Sequence, residues 1–178
     1  MDTVSIARLT AWLATFETLL LERGDSKGLG QGMTAVLGTM ASRPADDSVG
    51  ECFTAVGMTL VGAAGQASGP LYATFFLRFG MDAGPASALD AASLGRALRA
   101  GYEGAVARGT GAMGGTSVLD VLSRGVEAYD VEIARGADAA TAASTASHAA
   151  RGTGDQVDPD AASAVLLLEA LATALRAG

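Results

Sequence analysis

The sequence predicts an all-α fold: a single domain of eight helices, arranged as an antiparallel up-and-down bundle or barrel. Apolar residues recur every three or four positions through most of the 178 residues. No alternating run rich in valine, isoleucine and threonine occurs, so strands are not expected. The joins between the periodic segments are short, which places consecutive helices side by side and antiparallel.

Each predicted helix has a recognisable apolar face or terminal signal. In the first, Leu9, Trp12, Leu13 and Phe16 recur at helical spacing. Proline and glycine mark most of the ends, and Pro159 suits the first turn of the last helix, where its missing N–H costs nothing. The predicted helices span about 4–22, 31–42, 48–62, 70–80, 85–108, 117–135, 138–150 and 159–175.

Composition limits the possible partners of this domain, which is expected to cover 1–178. The formal net charge of −7 argues against nucleic acid, because phosphate binding needs clustered lysine and arginine. Apolar runs are far shorter than a membrane span, and no N-terminal segment of signal-peptide type is seen, so we expect no membrane association. The single cysteine, Cys52, cannot form an internal disulfide, which agrees with a reducing cytoplasm. We interpret it as a small buried apolar residue.

Glycine-rich joins follow the first, third, fifth and seventh predicted helices. They span 24–30, 65–70, 109–117 and 151–158. Since alternate joins of an up-and-down bundle lie at the same end, these four converge on one rim. Glycine can serve there simply to close tight turns. Four such joins together, with Gly69 and Pro70 opening a helix whose N–H groups attract anions, favour a phosphate-binding site.

Three motifs in these joins resemble those of the nucleotide-binding L subunit of bacterial dihydroxyacetone kinases. They lie at 65–73, 114–120 and 158–163, and the resemblance extends over nearly the whole chain. It implies an eight-helix antiparallel barrel that holds ADP or ATP, with two magnesium ions, at one rim. Ser68 and Gly69 match the phosphate-facing positions of the first motif. The nucleotide-binding residues that the resemblance implies are Ser68, Gly69, Gly114, Gly115, Thr116, Ser117 and Arg151.

The positions that resemble the family's magnesium ligands have changed. Where the family carries three aspartates, this chain has Leu20, Asp25 and Lys27, and Gly28 replaces a histidine. Magnesium needs several oxygen ligands, so Asp25 alone argues against a conventional two-magnesium site. Lys27 either lies near the phosphates, replacing part of the metal charge, or is a solvated loop residue.

Two further joins have lost charged groups relative to the family. Gly115 and Thr116 stand in place of an aspartate and a lysine, and the join after Arg151 is several residues shorter. Arg151 either reaches a phosphate or caps the C-terminus of the seventh helix. The combined changes favour an altered or abandoned metal–nucleotide site.

Conventional side-chain catalysis has little support elsewhere in the sequence. His148 is the one histidine and lies in a helix rich in alanine and serine, so we interpret it as a surface or packing residue. Neither a nucleophilic triad nor a zinc site can be assembled without further histidine or cysteine. Asp46 and Asp47 lie next to Ser48 at a predicted helix start, and Asp120 lies in a first turn. Capping and the helix dipole explain these carboxylates.

The sequence therefore predicts an ADP- or ATP-binding subunit similar to those of dihydroxyacetone kinases, with kinase competence left open. In that family a separate K subunit holds dihydroxyacetone, which receives the phosphoryl group, and a phosphohistidine carrier rephosphorylates the nucleotide. The alternative is an inactive paralogue that binds a K-like subunit or a transcriptional regulator, with Leu29, Met33 and Met113 as candidate apolar contacts. A small helical structural protein without a ligand is the third possibility.

Overall fold

The computed structural model describes residues 2–25, 28–63, 69–108, 117–152 and 159–177. These ranges contain eight α-helices and two short strands, which confirms the predicted all-α class. The helices are α1 Ile6–Glu22, α2 Leu29–Ala41, α3 Val49–Ala63, α4 Gly69–Ala83, α5 Ala91–Arg108, α6 Val118–Ala134, α7 Ala139–Arg151 and α8 Pro159–Arg176; the strands are β1 Thr3–Ser5 and β2 Ala88–Asp90. Each predicted helix corresponds to one of these helices in order.

The expectation that strands would be absent is wrong at two places. The strands β1 and β2 pair antiparallel, with Val4 opposite Leu89 and both side chains buried. Each strand has three residues, which is shorter than the run of alternation by which a strand is recognised in sequence. As a result α1 begins at Ile6 and α5 at Ala91, later than the predicted starts at 4 and 85.

The helices form a closed ring. Consecutive helices pack against one another, and α1 packs against α8 to complete the circuit. Neighbours run antiparallel: the N–H of Gly50, at the start of α3, donates to the carbonyl of Gly84, just after α4, at 2.9 Å. Likewise the hydroxyl of Tyr129, near the end of α6, donates to the carbonyl of Ala91 at the start of α5. The up-and-down arrangement therefore holds around the ring.

Two ends of the ring follow from this arrangement. We use the name glycine rim for the end formed by the last turns of α1, α3, α5 and α7 and the first turns of α2, α4, α6 and α8. The opposite end carries the two-stranded sheet and the joins 42–48, 84–87 and 135–138. All four glycine-rich joins connect helices at the glycine rim.

Aromatic side chains fill the interior of the ring. Trp12 is fully buried, and its ring centroid lies 5.7–6.0 Å from those of Phe53, Phe76 and Phe79. Its indole N–H donates to the carbonyl of Leu167 in α8 at 2.9 Å, so the one polar atom of the side chain is satisfied. This cluster connects α1, α3, α4 and α8 across the core.

The helix walls approach one another closely through small residues. A Cβ added at Gly80 would lie 2.8 Å from the backbone nitrogen of Thr54, so α3 and α4 touch backbone to backbone at this point. Cys52 is buried in the same helix pair, and burial raises the pKa of its thiol, as expected of an inert apolar residue. Within the described ranges, no helix has both the length and the apolar character needed to cross a membrane.

Candidate functional site

At the glycine rim, Asp25 caps the start of α2. Its carboxylate accepts hydrogen bonds from the backbone N–H groups of Gly28 at 3.0 Å and Gly30 at 3.3 Å. Gly28, which is the N-cap residue of α2, has no side chain to do this. The negative charge of Asp25 also lies at the positive end of the α2 dipole, where it is stabilising. Asp25 therefore has a structural role at the rim.

Gly30 determines how closely the join can approach α2. A Cβ added at Gly30 would lie 1.9 Å from the carbonyl oxygen of Asp25, which is far inside van der Waals contact. The backbone N–H of Asp25 donates in turn to the carbonyl of Leu20 in the last turn of α1. Because the backbone of Asp25 is held between these two helices, its carboxylate is directed at the first turn of α2. Sequence reasoning missed this requirement for glycine, because a close backbone contact leaves no pattern in the sequence.

The described residues at the predicted metal position do not fit a two-magnesium site. Leu20 is 2% exposed and belongs to the hydrophobic core, so it supplies no ligand atom. Asp25 supplies one carboxylate, and both of its oxygens already accept backbone hydrogen bonds. In the described part of the chain, no three histidine, cysteine, aspartate or glutamate side chains come together as a metal site would require. Lys27, the third position, lies outside the described residues.

The start of α4 is buried against the core. Gly69 is the first residue of this helix and is buried, and Pro70 follows in the first turn as predicted. The first turn of any helix carries backbone N–H groups without intrahelical partners, together with the positive end of the helix dipole. Ser68, the neighbouring predicted phosphate-binding residue, lies outside the described residues.

A buried hydrogen bond joins the first turn of α4 to the second turn of α8. The hydroxyl groups of Tyr72 and Ser163 lie 2.6 Å apart; Tyr72 is fully buried and Ser163 is 8% exposed. The helices α4 and α8 lie on opposite sides of the eight-membered ring, so this bond crosses the interior just below the glycine rim. The Tyr72 ring also packs on Phe16 of α1, with centroids 5.9 Å apart. The hydrogen bond therefore links α4 and α8 across the ring interior through two side chains.

Ser117 is the N-cap residue of α6. Its hydroxyl accepts from the backbone N–H of Asp120 at 3.2 Å, and the Asp120 carboxylate accepts from the N–H of Ser117 at 3.1 Å. This reciprocal pair is a capping box, which explains Asp120 more specifically than the helix dipole does. The predicted residues just before it, Gly114, Gly115 and Thr116, lie outside the described residues.

Arg151 ends α7 and forms an ion pair with Glu169 of α8. The guanidinium nitrogen and carboxylate oxygen lie 3.1 Å apart, and the Arg151 side chain is 48% exposed. Glu169 follows the first residue of α8 by ten positions, roughly 15 Å along the helix axis. Because the ion pair is partly solvated, it contributes little to stability. Arg151 can therefore exchange Glu169 for another anion at small cost. Contact between Arg151 and a phosphate stays a prediction.

Two of the three apolar contacts suggested for the alternative function are buried. Leu29 and Met33 are buried at 2% and 0% exposure, so they belong to the core and cannot form an apolar docking face. Both lie on the inner face of α2, where the helical period directs them toward the ring interior. Met113 lies outside the described residues, and His148 is exposed near the end of α7.

A groove of about 770 Å³ lies at the opposite end of the ring, away from these residues. Its charged lining is engaged locally: Arg43 pairs with Asp47, and the Glu51 carboxylate accepts from both the hydroxyl and the backbone N–H of Ser48 at 2.8 Å. The hydrogen bond to Asp47 raises the pKa of Arg43, and the Ser48 N–H lowers the pKa of Glu51. These contacts cap α3 and order the join before it, so the groove has a structural explanation.

Comparison with known proteins identifies relatives of this chain. Residues 24–173 match the family model described as DAK2 domain. A segment of 89 residues is 38% identical to the ADP-binding subunit of PEP-dependent dihydroxyacetone kinase 1 from Listeria innocua serovar 6a, covering 50% of this chain and 43% of the relative. A segment of 77 residues is 35% identical to the ADP-binding subunit of PEP-dependent dihydroxyacetone kinase from Escherichia coli strain K12, covering 43% of this chain and 37% of the relative. The matched segments thus span less than half the length of either relative.

Proposed function

The chain belongs to the DAK2 domain family, and from this premise we propose that it is an ADP-binding subunit of a dihydroxyacetone kinase system. The observation that carries the proposal is that Tyr72, in the first turn of α4, reaches Ser163, in the second turn of α8, below the glycine rim, with the two hydroxyl oxygens 2.6 Å apart. Two helix N-termini that face the same end of the ring offer backbone donors and positive dipole ends, which suit the phosphates of a nucleotide. The names of the two relatives, both ADP-binding subunits, support the same ligand.

Within this proposal the protein positions the nucleotide and neutralises its charge. Phosphoryl transfer requires mainly these two contributions from the protein. We assign the phosphate cradle to Ser68 and Gly69, together with Gly114 to Ser117 in the join before α6. Arg151 exchanges its partner Glu169 for a phosphate oxygen when the nucleotide binds, which the partial exposure of that pair allows.

The proposed partner is a K-type subunit that holds dihydroxyacetone and accepts the phosphoryl group from the nucleotide. A phosphohistidine carrier protein would regenerate the nucleotide between turnovers. Both partners would dock at the glycine rim, because the phosphates are reached from that end of the ring.

Isothermal titration calorimetry with ADP and ATP, each with and without Mg²⁺, tests the proposal directly. We expect ADP to bind, with a weaker dependence on Mg²⁺ than a site with three aspartate ligands would show, because Leu20 is part of the core and Asp25 caps α2. Absence of binding under both conditions would refute nucleotide binding.

The variant Ser68→Trp tests the location of the site. A tryptophan at the start of α4 should block the phosphate cradle and abolish ADP binding while the helices remain folded. The matched control is Ser42→Trp, which places the same side chain at an exposed position at the opposite end of the ring. Equal ADP affinity in the two variants would exclude the assigned cradle.

The double variant Leu20→Asp/Lys27→Asp tests the metal positions. Restoring both carboxylates should confer Mg²⁺-dependent ADP binding on the rim. Because Leu20 is buried, an aspartate there costs several kcal/mol unless it is paired, so the free energy of unfolding must be measured first. A folded double variant with no gain in Mg²⁺ dependence would mean that these positions are not metal ligands.

A catalytically inactive, protein-binding subunit is the second candidate function. The observation that favours it is that Asp25 and Arg151 are both engaged by partners within the chain. The calorimetric titration separates the two candidates, because the inactive subunit would bind a K-type protein without binding ADP.

A further inference from the structure

We propose that Tyr72 and Ser163 are positioning residues, whose hydrogen bond sets the spacing between the two helix N-termini of the nucleotide site. The inference deepens the proposed function and rests on it. Both residues lie within motifs singled out in the sequence, at 65–73 and 158–163, but the sequence does not show that they touch, since they lie 91 positions apart and the hydrogen bond depends on ring closure.

The location of this bond distinguishes it from ordinary core contacts. The helices α4 and α8 are not neighbours in the ring; each packs on its own flanking helices. Tyr72 is the fourth residue of α4 and Ser163 the fifth of α8, so the bond connects the turns that lead directly from the rim. A change in its length therefore moves two opposite walls of the proposed nucleotide site relative to each other.

The surroundings of the bond make it rigid. The Tyr72 side chain is fully buried and its ring packs on Phe16, which restricts the side chain to one direction. Ser163 is nearly buried on the facing wall. A hydrogen bond between two buried hydroxyl groups has no competing bulk water.

Tyr129 provides a matched control within the same chain. It is also fully buried, and its hydroxyl also makes a hydrogen bond, to the carbonyl of Ala91 at 2.9 Å. This bond joins α5 and α6 at the opposite end of the ring. Tyr72→Phe and Tyr129→Phe therefore remove the same atom from similar environments. Only Tyr72→Phe removes a hydrogen bond between α4 and α8, below the glycine rim.

The experiment measures ADP affinity by calorimetry and stability by thermal unfolding for both variants. We expect Tyr72→Phe to weaken ADP binding by about fivefold, the effect of one hydrogen bond, and Tyr129→Phe to leave it unchanged, while both lower the melting temperature. Ser163→Ala should weaken binding to a similar extent. The double variant Tyr72→Phe/Ser163→Ala should lose less than the product of the single effects, because both remove the same bond. Unchanged affinity in Tyr72→Phe, or equal losses in the two tyrosine variants, would overturn the proposal.

Hydrogen exchange tests the positioning role without nucleotide. In Tyr72→Phe the amides of residues 73–76 and 163–166, which follow the first turns and have intrahelical partners, should exchange faster than in the wild type, and in Tyr129→Phe they should not. If the wild type does not bind ADP, the proposed function fails and this measurement still decides the positioning role. If these amides exchange at the wild-type rate in Tyr72→Phe, the positioning role is refuted.

Discussion

Replacing Gly30 by alanine should reveal how closely the first glycine-rich join is packed on α2. The added Cβ would lie 1.9 Å from the carbonyl oxygen of Asp25, and real Cβ atoms essentially never approach another heavy atom within 3.0 Å. This carbonyl belongs to the backbone of Asp25, which is held by its own hydrogen bond to Leu20, so it cannot rotate away as a flexible side chain would. The join must therefore withdraw from the helix.

The cost has two parts. Forcing an extra carbon into a packed site costs about 1–3 kcal/mol, and withdrawal of Asp25 removes an N-terminal cap worth about 1 kcal/mol. The variant Gly30→Ala should therefore lose about 2–4 kcal/mol of unfolding free energy, measured by urea denaturation with far-UV circular dichroism. Since Asp25 belongs to the glycine rim, ADP affinity should fall in the same variant.

Gly38 supplies the control in the same helix. It is exposed in α2, and a Cβ added there meets nothing within 4 Å. Gly38→Ala should therefore raise stability by about 0.5–1 kcal/mol, because alanine loses less backbone entropy in a helix. Opposite signs for the two substitutions are expected. If Gly30→Ala is as stable as Gly38→Ala, the backbone contact with Asp25 does not exist in solution.

Two further predictions concern the core and the helix caps. Trp12→Phe should lower the free energy of unfolding by about 2 kcal/mol, because it removes a buried hydrogen bond to α8 and leaves a cavity among three aromatic rings. A loss below about 0.5 kcal/mol would contradict this packing. Backbone N–H groups in the first turns of α5 and α7 donate to the carboxylates of Asp90 and Asp138 and lower their pKa values. The stabilisation from these two carboxylates is therefore complete above about pH 4 and is lost as the pH falls through the lowered pKa values. The melting temperature should therefore fall as the pH drops below about 4, and less steeply in Asp138→Ser, whose cap does not titrate; identical slopes would exclude the contribution of Asp138.

The helices could be predicted from the sequence because each has an amphipathic repeat and most have a chemical signal at one end. Asp138 before α7 and Pro159 at the start of α8 are examples, and both helices begin where these residues indicate. The two strands could not be predicted in this way. Val4 and Leu89 are buried because the strands that precede α1 and α5 pair with each other, although these two helices are not neighbours in the ring, so the pairing depends on the assembled ring.

The site was predicted less completely than the fold, for a physical reason. Motifs indicate which residues follow a glycine-rich join, but not which partners those residues find in three dimensions. Glu169, which pairs with Arg151, and Gly30, which approaches Asp25, carry no signal of their own in the sequence. Leu29 and Met33 were considered as rim contacts because of their proximity to a join, and the helical period of α2 turns both into the core.

Three of the predicted rim side chains already have partners, and this bears on how a nucleotide would be held. Asp25 caps α2, Ser117 caps α6 and Arg151 pairs with Glu169. A ligand that binds any of these groups must replace an existing interaction, so each contributes only the difference between two similar contacts. Backbone N–H groups at a helix N-terminus face no such exchange when the ligand is an anion. The affinity of the rim for phosphate should therefore depend more on where α4 and α8 begin than on these three side chains, which is why the Tyr72–Ser163 spacing matters more to binding than the single charge of Arg151.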